Sequence, residues 1–587
     1  MKYSDQIGQW LVEMGYSTCF FVGGGHCMHL VESLSRKLRG IPVVHEVAAG
    51  IAAEYFNVIA DGKQRALALV TSGPGLTNAV TAIAGAWLEG RELLVLGGQV
   101  KTADLSHGQI RQRGLQELCG SEIVAPITVR STSLRNPVDK SEFVRLTQTE
   151  PMKRKGPVFL EIPLDIQGCP FESKESEIIA DHQSRNLTIE ESLHLDQIMD
   201  ELKKSSRPVL LIGGGVERNV AYELAEQGRF QNIPVMTTYN GADRVDSRLP
   251  TYFGRPNTWG MRYSNLLLQQ ADLVIAFGAS LGLQQTGFNW PEFVPHGKVI
   301  HINFDPSETA KEYPMIAMAL NIDANKALRH MLESDHGDYS NWLAYCNEVK
   351  AALPLSEKCN KTDPGYISPY DFFLQLSEVC QEDDIFIPCS SGGAFTVSYQ
   401  TFQQKKGQFM VSNKGLASMG YGLSGTIGAA LAGRGKRTVL VEGDGGFARN
   451  LQELGTVAVN DLNLKIFVFD DQGYASIRMT QSNYFGGRYD GCDTKTGLGL
   501  PNLDKLFDVW GIPCLRLKPG FTEDPEFQSR FQSTGPHAFI VPIDPTQTYF
   551  PKINSRITPE GTMVSNPLHE MSPAIDDETR RKVMKYL

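Results

Sequence analysis

Two acidic glycine turns constrain this chain more than any other feature. An apolar run, Arg437 to Val441, leads into Gly443-Asp444-Gly445-Gly446. A helical segment, Phe447 to Val459, follows, and a second apolar run, Lys465 to Phe469, leads into Asp471-Gln472-Gly473-Tyr474. Asp444 and Asp471 are therefore one strand–helix–strand unit apart, and the two strands of such a unit run parallel and end at the same sheet edge. Two hard carboxylate oxygens arrive there beside a helix N-terminus, which suits a divalent cation clamped onto a diphosphate. Asp444 and Asp471 would each give one oxygen and a backbone carbonyl near Gly473 a third. Diphosphate oxygens and water would complete the octahedron that magnesium prefers. Gly443, Gly445 and Gly446 let the backbone approach phosphate closely. Either turn alone reads as a tight closure of a buried strand; the pair at this spacing favours the metal.

The same theme recurs along the chain. Apolar runs stand at Cys19–Val22, Ala66–Thr71, Glu92–Leu96 and Val158–Ile162, then at Pro208–Ile212, Leu273–Phe277 and Val299–Phe304, then at Ile385–Pro388, Arg437–Val441, Lys465–Phe469 and Ala538–Val541. They are continuous rather than alternating in polarity, as parallel strands covered by helices on both faces require. A chain of 587 residues exceeds one core. The expected fold is α/β, with three doubly wound domains at 1–175, 188–355 and 365–547 and a tail at 548–587. Polar linkers separate them at Glu172 to Asn186, with Lys174, Glu175 and Glu177, and at Ser356 to Gly365. The tail loses periodicity and is expected to lie over another surface, near an active-site mouth or away from it.

A formal net charge of −10 offers no basic field for nucleic acid. No apolar run approaches the roughly 20 residues that span a bilayer. The N-terminus lacks the apolar core of a signal peptide. The ten cysteines form no C-x-x-C pair, so a reducing cytoplasm fits better than a disulfide framework or a zinc site.

Further motifs carry a resemblance. Val43-Val44-His45-Glu46 precedes an alanine-rich helix, Ala48 to Ala60. Thr71-Ser72-Gly73-Pro74-Gly75-Leu76-Thr77-Asn78 forms a glycine–proline turn. Gly415-Leu416-Ala417-Ser418-Met419-Gly420-Tyr421-Gly422 precedes the first acidic turn, and Tyr474 to Gly487 follows the second. Together with the acidic turns these resemble the thiamine diphosphate (ThDP) enzymes over nearly the whole chain. The branch is that of acetohydroxyacid synthase and pyruvate oxidase. The run from Tyr474 to Gly487 looks most like acetolactate synthase-like proteins of cell-surface polysaccharide and unusual-sugar pathways, including the yersiniose type.

The resemblance implies a pyrimidine domain, a central Rossmann-like domain and a diphosphate domain. It places Glu46 against the aminopyrimidine, where a carboxylic acid in apolar surroundings shares a proton with the ring and makes it an internal base. Thr71, Pro74 and Asn78 close over the pyrimidine. Ser390, Ser391, Gly392 and Gly415 fall on the diphosphate side, with Tyr474, Ala475, Ser476 and Ile477 also against the cofactor. Met419 props the coenzyme into a bent shape. Gly25 and His26, in Gly23-Gly24-Gly25-His26, line the reaction chamber with Gln116; His26 either meets substrate or caps its own helix. In the family the two halves of a site come from different subunits, which implies a homodimer or homotetramer.

The implied reaction is decarboxylation of pyruvate and transfer of the two-carbon unit to a carbonyl acceptor. Simple decarboxylation or oxidation, acetolactate synthesis and a non-catalytic scaffold are the alternatives. Three departures bear on it. Asp470-Asp471 stands for the usual Asn-Asn, and the extra charge weakens diphosphate binding unless a cation or proton compensates. Gly278-Ala279-Ser280-Leu281 lacks the arginine that holds a keto-acid acceptor, worth roughly 1–3 kcal/mol of anchoring. Thr480 replaces a tryptophan and Leu115 a phenylalanine. The missing arginine and the smaller residue at 480 favour a larger acceptor such as a nucleotide-linked keto sugar, with Arg478 left to meet a carboxylate or a phosphate. The central domain resembles one that holds FAD, with Gly213-Gly214-Gly215, Asn257-Thr258-Trp259-Gly260 and His301 to Pro306 at the matching positions.

Overall fold

The computed structural model describes residues 1–149, 153–172, 187–334 and 337–587. Most of the first linker, including Lys174, Glu175 and Glu177, lies outside the described residues. Three parallel sheets organise the chain. The first runs Arg39–Pro42, Tyr16–Phe21, Arg65–Val70, Leu93–Gln99, Pro157–Pro163, Arg130–Ser133. The second runs Met318–Leu320, Lys298–Ile302, Leu273–Phe277, Pro208–Ile212, Val235–Thr237. The third includes, in order, Ile385–Ile387, Thr438–Gly443, Leu464–Asp470, His537–Pro542 and Cys514–Arg516. Helices cover both faces, which is why the interior strands read as unbroken apolar runs.

Every interior strand coincides, within a few residues, with an apolar run of the sequence. Arg130–Ser133, Val235–Thr237, Met318–Leu320 and Cys514–Arg516 carry no apolar run that announces them, and each stands at a sheet edge, as does Arg39–Pro42. An edge strand has one neighbour and often one solvated face, so arginine, serine and proline are tolerated in it and the apolar signal fades. The strand expected to end at Val43-Val44 ends instead at Pro42, and the following helix begins at Glu46 itself, Glu46–Ala60.

The first and third sheets share one compact unit, Met1–His182 with Asp384–Gly392 and Val411–Pro542. Its internal seam is a helix pair, Glu46–Ala60 against Tyr421–Ala432. Small residues make the approach possible: a Cβ on Gly428 would overlap the Ala52 carbonyl oxygen, and one on Gly425 would stand 2.8 Å from the Tyr55 ring. Beside this seam lies a buried ion pair, Arg91 Nη1 to Glu54 Oε1 at 2.8 Å. Tyr421 donates its hydroxyl to Glu54 Oε2 at 2.7 Å, and Asn413 Nδ2 donates to Glu54 Oε1 at 3.2 Å. Arg91 Nη2 donates to the Ser412 carbonyl at 2.6 Å. A carboxylate buried this deeply persists because three donors, one of them a guanidinium, answer its oxygens.

The second unit, Gln183–Asp383 with Gly393–Met410 and Ile543–Leu587, holds the central sheet. Its tail forms two short antiparallel pairs, Lys552–Ile553 with Met571–Ser572 and Ser555–Ile557 with Met563–Ser565, then a helix, Asp577–Val583. The tail packs on the helix Arg262–Gln269: Arg262 donates to the Met571 and Pro573 carbonyls at 3.2 and 2.8 Å, and Gln270 Nε2 to the Val583 carbonyl at 2.9 Å. Among the described residues no helix is long and apolar enough to cross a membrane, and all ten cysteines are free.

The seam gives a direct test. Gly428→Ala adds one methyl where a backbone oxygen already sits, and overpacking of this kind costs about 1–3 kcal/mol. Calorimetry should show a lower Tm; an unchanged Tm would mean the helices do not approach as described.

Candidate active site

The first acidic turn differs from the expected helix over Phe447 to Val459. Helical backbone starts at Asp444 itself, Asp444–Phe447, and breaks before a 3₁₀ turn at Leu451–Glu453 and a helix at Leu454–Val459. Two glycines in the first turn weaken helix propagation. The Asp444 carboxylate accepts the Gly445 amide at 2.6 Å and the Gly473 amide at 3.0 Å. The second of these bonds joins the two acidic turns. Gly473 has φ +143°, and a Cβ there would overlap the Cys492 carbonyl. Gly445 faces the Tyr474 ring, whereas Gly443 faces open space where a ligand can enter.

Asp444 and Asp471 are both buried; Asp471 Oδ1 accepts no hydrogen bond and has Arg478 Nη2 at ion-pair distance, 3.5 Å. Burial drives both carboxyls far above the usual carboxylate range, and for Asp444 the neighbouring Asp471 charge adds to it. For Asp471 the Arg478 guanidinium opposes the rise without cancelling it. Two adjacent buried carboxylates, one with an oxygen that no hydrogen bond reaches, are the donor set that a hard divalent cation satisfies.

The extra carboxylate of Asp470 is paired. Its Oδ2 accepts from Arg516 Nη1 at 2.8 Å, and Arg516 also pairs with Asp504 at 2.7 Å. The Asp470 charge still adds to the rise of the Asp444 and Asp471 carboxyls. Arg478 is not left over for a substrate. It is buried, with Nη2 donating to the Asp471 carbonyl at 2.6 Å and Nη1 to the Gln472 carbonyl at 3.2 Å. It braces the second acidic turn instead.

The neighbouring segments take the following places. Tyr474 donates its amide to the Cys492 carbonyl at 2.8 Å and precedes the helix Ala475–Tyr484, whose first turn carries Ala475, Ser476 and an exposed Ile477. Thr480 bonds back to the Ser476 carbonyl at 3.0 Å. Ser390 Oγ accepts the Asn413 amide at 3.4 Å, Ser391 follows, and Gly392 (φ +78°) opens the next helix with no atom near its missing Cβ. The Gly415 amide is taken by Glu89 Oε1 at 2.6 Å. Met419 is 38% exposed, unusual for an apolar side chain preceding a buried helix, and the Gly420 carbonyl beside it accepts from Asn450 Nδ2 at 2.8 Å.

A second cluster forms in the first sheet's domain. Glu46 opens its helix, and Asn78 Nδ2 donates to Glu46 Oε2 at 3.0 Å. His26 Nδ1 lies 2.6 Å from Ser72 Oγ, so the ring reaches the glycine–proline turn and does not cap its own helix. A Cβ on Gly24 would stand 2.5 Å from Thr71 Cβ, and Gly25 faces open space. Gly73 (φ +59°) packs where a Cβ would be 2.6 Å from the Gln116 carbonyl, and Gln116 itself has φ +57°. Pro74 sits in the first turn of the helix Pro74–Glu89. Hydrogen bonds and close packing thus gather Glu46 with Asn78, His26 with Ser72, and Gly73 with Gln116, while Asp444 and Gly473 gather separately.

Three residues not singled out from the sequence complete the arrangement. Glu117 accepts the amides of Ser106, Arg113 and Gly114 at 2.6, 2.9 and 2.9 Å. Burial raises its carboxyl, but these amides outweigh burial and hold it down to about 2. It fixes the loop that carries Gln116. Arg516 pairs with Asp470. Glu453, fully buried, reaches the backbone just before Glu46. None of the three lies in a local pattern that announces its partner.

The central-domain positions matched to FAD each have a role in the fold itself. Gly213 and Gly215 pack against the Gly278 backbone, and Gly260 against Asn257 and Arg255. His301 Nε2 meets the Ala279 carbonyl at 2.7 Å, and Asp305 caps a short helix through the Ser307 amide at 2.9 Å.

The position of Arg478 makes a prediction. Arg478→Met removes the brace on the Asp471–Gln472 turn without touching Glu46. Losing charge-assisted hydrogen bonds of this kind costs about 1.5–3 kcal/mol. Mg2+-dependent ThDP binding should weaken about tenfold or more by calorimetry, while KM for the carbonyl acceptor stays near wild type. Wild-type cofactor affinity with a raised acceptor KM would assign Arg478 to the substrate instead.

Comparisons with known proteins agree with this geometry. Residues 1–122 match the thiamine pyrophosphate enzyme N-terminal TPP binding domain, residues 195–331 the central domain and residues 391–541 the C-terminal TPP binding domain. The chain is 27% identical over 563 residues to the acetolactate synthase large subunit of Cyanidium caldarium, covering 92% of this chain and 93% of that protein. It is 28% identical to the probable acetolactate synthase large subunit of Methanocaldococcus jannaschii, covering 93% of each. It is 28% identical to acetolactate synthase isozyme 1 large subunit of Escherichia coli, covering 94% and 95%. With these three domains matched in order along the chain and full-length acetolactate synthase large subunits among its relatives, the protein belongs to the thiamine pyrophosphate enzyme family.

Proposed function

We propose that this chain is a Mg2+- and ThDP-dependent carboligase that decarboxylates pyruvate and transfers the two-carbon unit to a second carbonyl compound. The observation that supports it most is the 3.0 Å bond from the Gly473 amide to Asp444, which unites the two acidic turns beside an Asp471 oxygen that accepts no hydrogen bond. Bound there, the coenzyme supplies a thiazolium carbon that adds to the keto acid and takes up the electron pair freed when carbon dioxide leaves. Asp444, Asp471 and the backbone carbonyl of Gly473 hold the cation, and Gly443 gives the diphosphate room. Met419 offers its exposed side chain under the bent coenzyme. Glu46, oriented by Asn78, holds a proton at the aminopyrimidine ring nitrogen. His26, oriented by Ser72, and Gln116 face the keto acid. The reaction moves no net electrons, so a flavin bound in the central domain would be structural.

For the acceptor we favour a carbonyl compound without a carboxylate anchor, such as a nucleotide-linked keto sugar. Ser280 supplies no cation, Arg478 is committed to its turn, and Thr480 is small and bonded to its own helix. Acetolactate formation with a 2-keto acid acceptor is the second reading, supported by the near full-length likeness to acetolactate synthase large subunits. A homodimer follows from a site whose pyrimidine and diphosphate halves come from different subunits, and sedimentation under active conditions should exceed the 64.9 kDa monomer.

Mass spectrometry of products from pyruvate with a panel of keto acids, aldehydes and nucleotide keto sugars separates these readings. A ligated product is expected; acetaldehyde or acetate alone with every acceptor would overturn carboligation. Glu46→Gln should lower kcat by about 10²–10⁴-fold, the range of a general acid–base group, with Mg2+–ThDP affinity unchanged.

A further inference from the structure

We propose that Glu453 is a positioning residue for Glu46, tying the diphosphate-side segment to the backbone that aims the activating carboxylate. The proposal rests on the role given to Glu46 above. Glu453 Oε1 accepts the Val44 amide at 3.1 Å and the His45 amide at 3.0 Å, and Oε2 lies 3.3 Å from the Val44 amide. Thr456 Oγ1 donates to Oε2 at 2.7 Å. Val44 and His45 are the two residues immediately before Glu46. Their amides have no partner within the Glu46–Ala60 helix, because they precede its first turn.

A carboxylate buried completely is costly unless its hydrogen bonds are answered, and an anion is most favourable beside the positive end of a helix. Glu453 meets both conditions, and burial pushes its carboxyl up despite the donors around it. His45 continues the same construction: its Nδ1 accepts the Val47 amide at 3.3 Å, and its carbonyl accepts the Ala48 amide at 2.9 Å. The start of the Glu46 helix is therefore held from outside by Glu453 and from inside by His45.

The origin of Glu453 gives this contact its meaning. It lies in the 3₁₀ turn Leu451–Glu453, one short connection beyond Asp444. Asn450, three residues earlier, holds the Gly420 carbonyl next to Met419. One segment, Asp444 to Thr456, thus carries a metal ligand, fixes the methionine loop and fixes the helix start of Glu46. Without Glu453, Glu46 keeps its Asn78 contact but loses the anchor of its backbone, so the proton it shares would be misplaced rather than absent.

The test uses full-length Glu453→Gln, nearly isosteric but offering the amides one acceptor oxygen and one repelling amino group. In the cofactor-free protein, amide hydrogen exchange in the peptide spanning residues 43–48 should speed up about tenfold or more, because that protection depends on the Glu453 contact. With Mg2+–ThDP bound, exchange of the coenzyme C2 proton should slow about tenfold or more, the order expected when a general acid–base group is misaligned. Mg2+–ThDP affinity and KM for pyruvate should stay within about threefold, since Glu453 touches neither. Thr456→Val, which removes one bond to Glu453, should give a smaller change of the same sign and serves if Glu453→Gln does not fold. Wild-type amide exchange, or wild-type C2 exchange, in both variants would overturn the proposal. Glu46→Gln is run alongside: wild-type C2 exchange there would instead overturn the role of Glu46, while the 43–48 exchange of Glu453→Gln still reads the contact itself.

Discussion

The bond from the Gly473 amide to the Asp444 carboxylate is the constraint on which the rest of the candidate site depends. Two parallel strands can end at one edge without their turns touching. Here the carboxylate of the first turn is a hydrogen-bond acceptor for the second, and Gly473 adopts a backbone conformation open only to glycine to reach it. The cost is two buried carboxylates side by side, which neither burial nor mutual repulsion favours. Arg516 pairs with Asp470, and Arg478 braces the backbone of Asp471 and stands 3.5 Å from its carboxylate, while the Asp470 charge still adds to the repulsion at the pair.

From that pair the arrangement extends outward through one stretch of chain. Asp444 to Thr456 reaches the methionine loop through Asn450 and the Glu46 helix through Glu453. The helices Glu46–Ala60 and Tyr421–Ala432 then lock the two domains at a distance set by glycine. Each step is a polar contact in a place where an unpaired group would be expensive, so the elements have little freedom to drift independently.

Much of this was legible in the sequence, for identifiable reasons. Interior strands of a doubly wound sheet are apolar on both faces and announce themselves; Pro208–Ile212 and Leu273–Phe277 are found at the residues expected. The acidic turns and the glycine–proline turn are local patterns whose residues need only their neighbours. What stayed hidden is tertiary. The edge strands are short or polar and lack an apolar run, even where, as at Val235–Thr237, they are buried. The pairing of Arg516 with Asp470 crosses 46 positions, and that of Glu453 with Val44 crosses 409, and no spacing rule reaches so far. Arg478 looked available because sequence shows a charge without showing the carbonyls that hold it. Glu117 proves to be the anchor of the loop that presents Gln116.

The central claim is that the two acidic turns together form a cation-dependent seat for a diphosphate. Titration calorimetry of ThDP into the protein with and without Mg2+ tests it most directly. The account predicts binding that is saturable with Mg2+ and lost when the metal is chelated, because two buried carboxylates repel a bare diphosphate. Equal affinity in the presence and absence of divalent metal would contradict it.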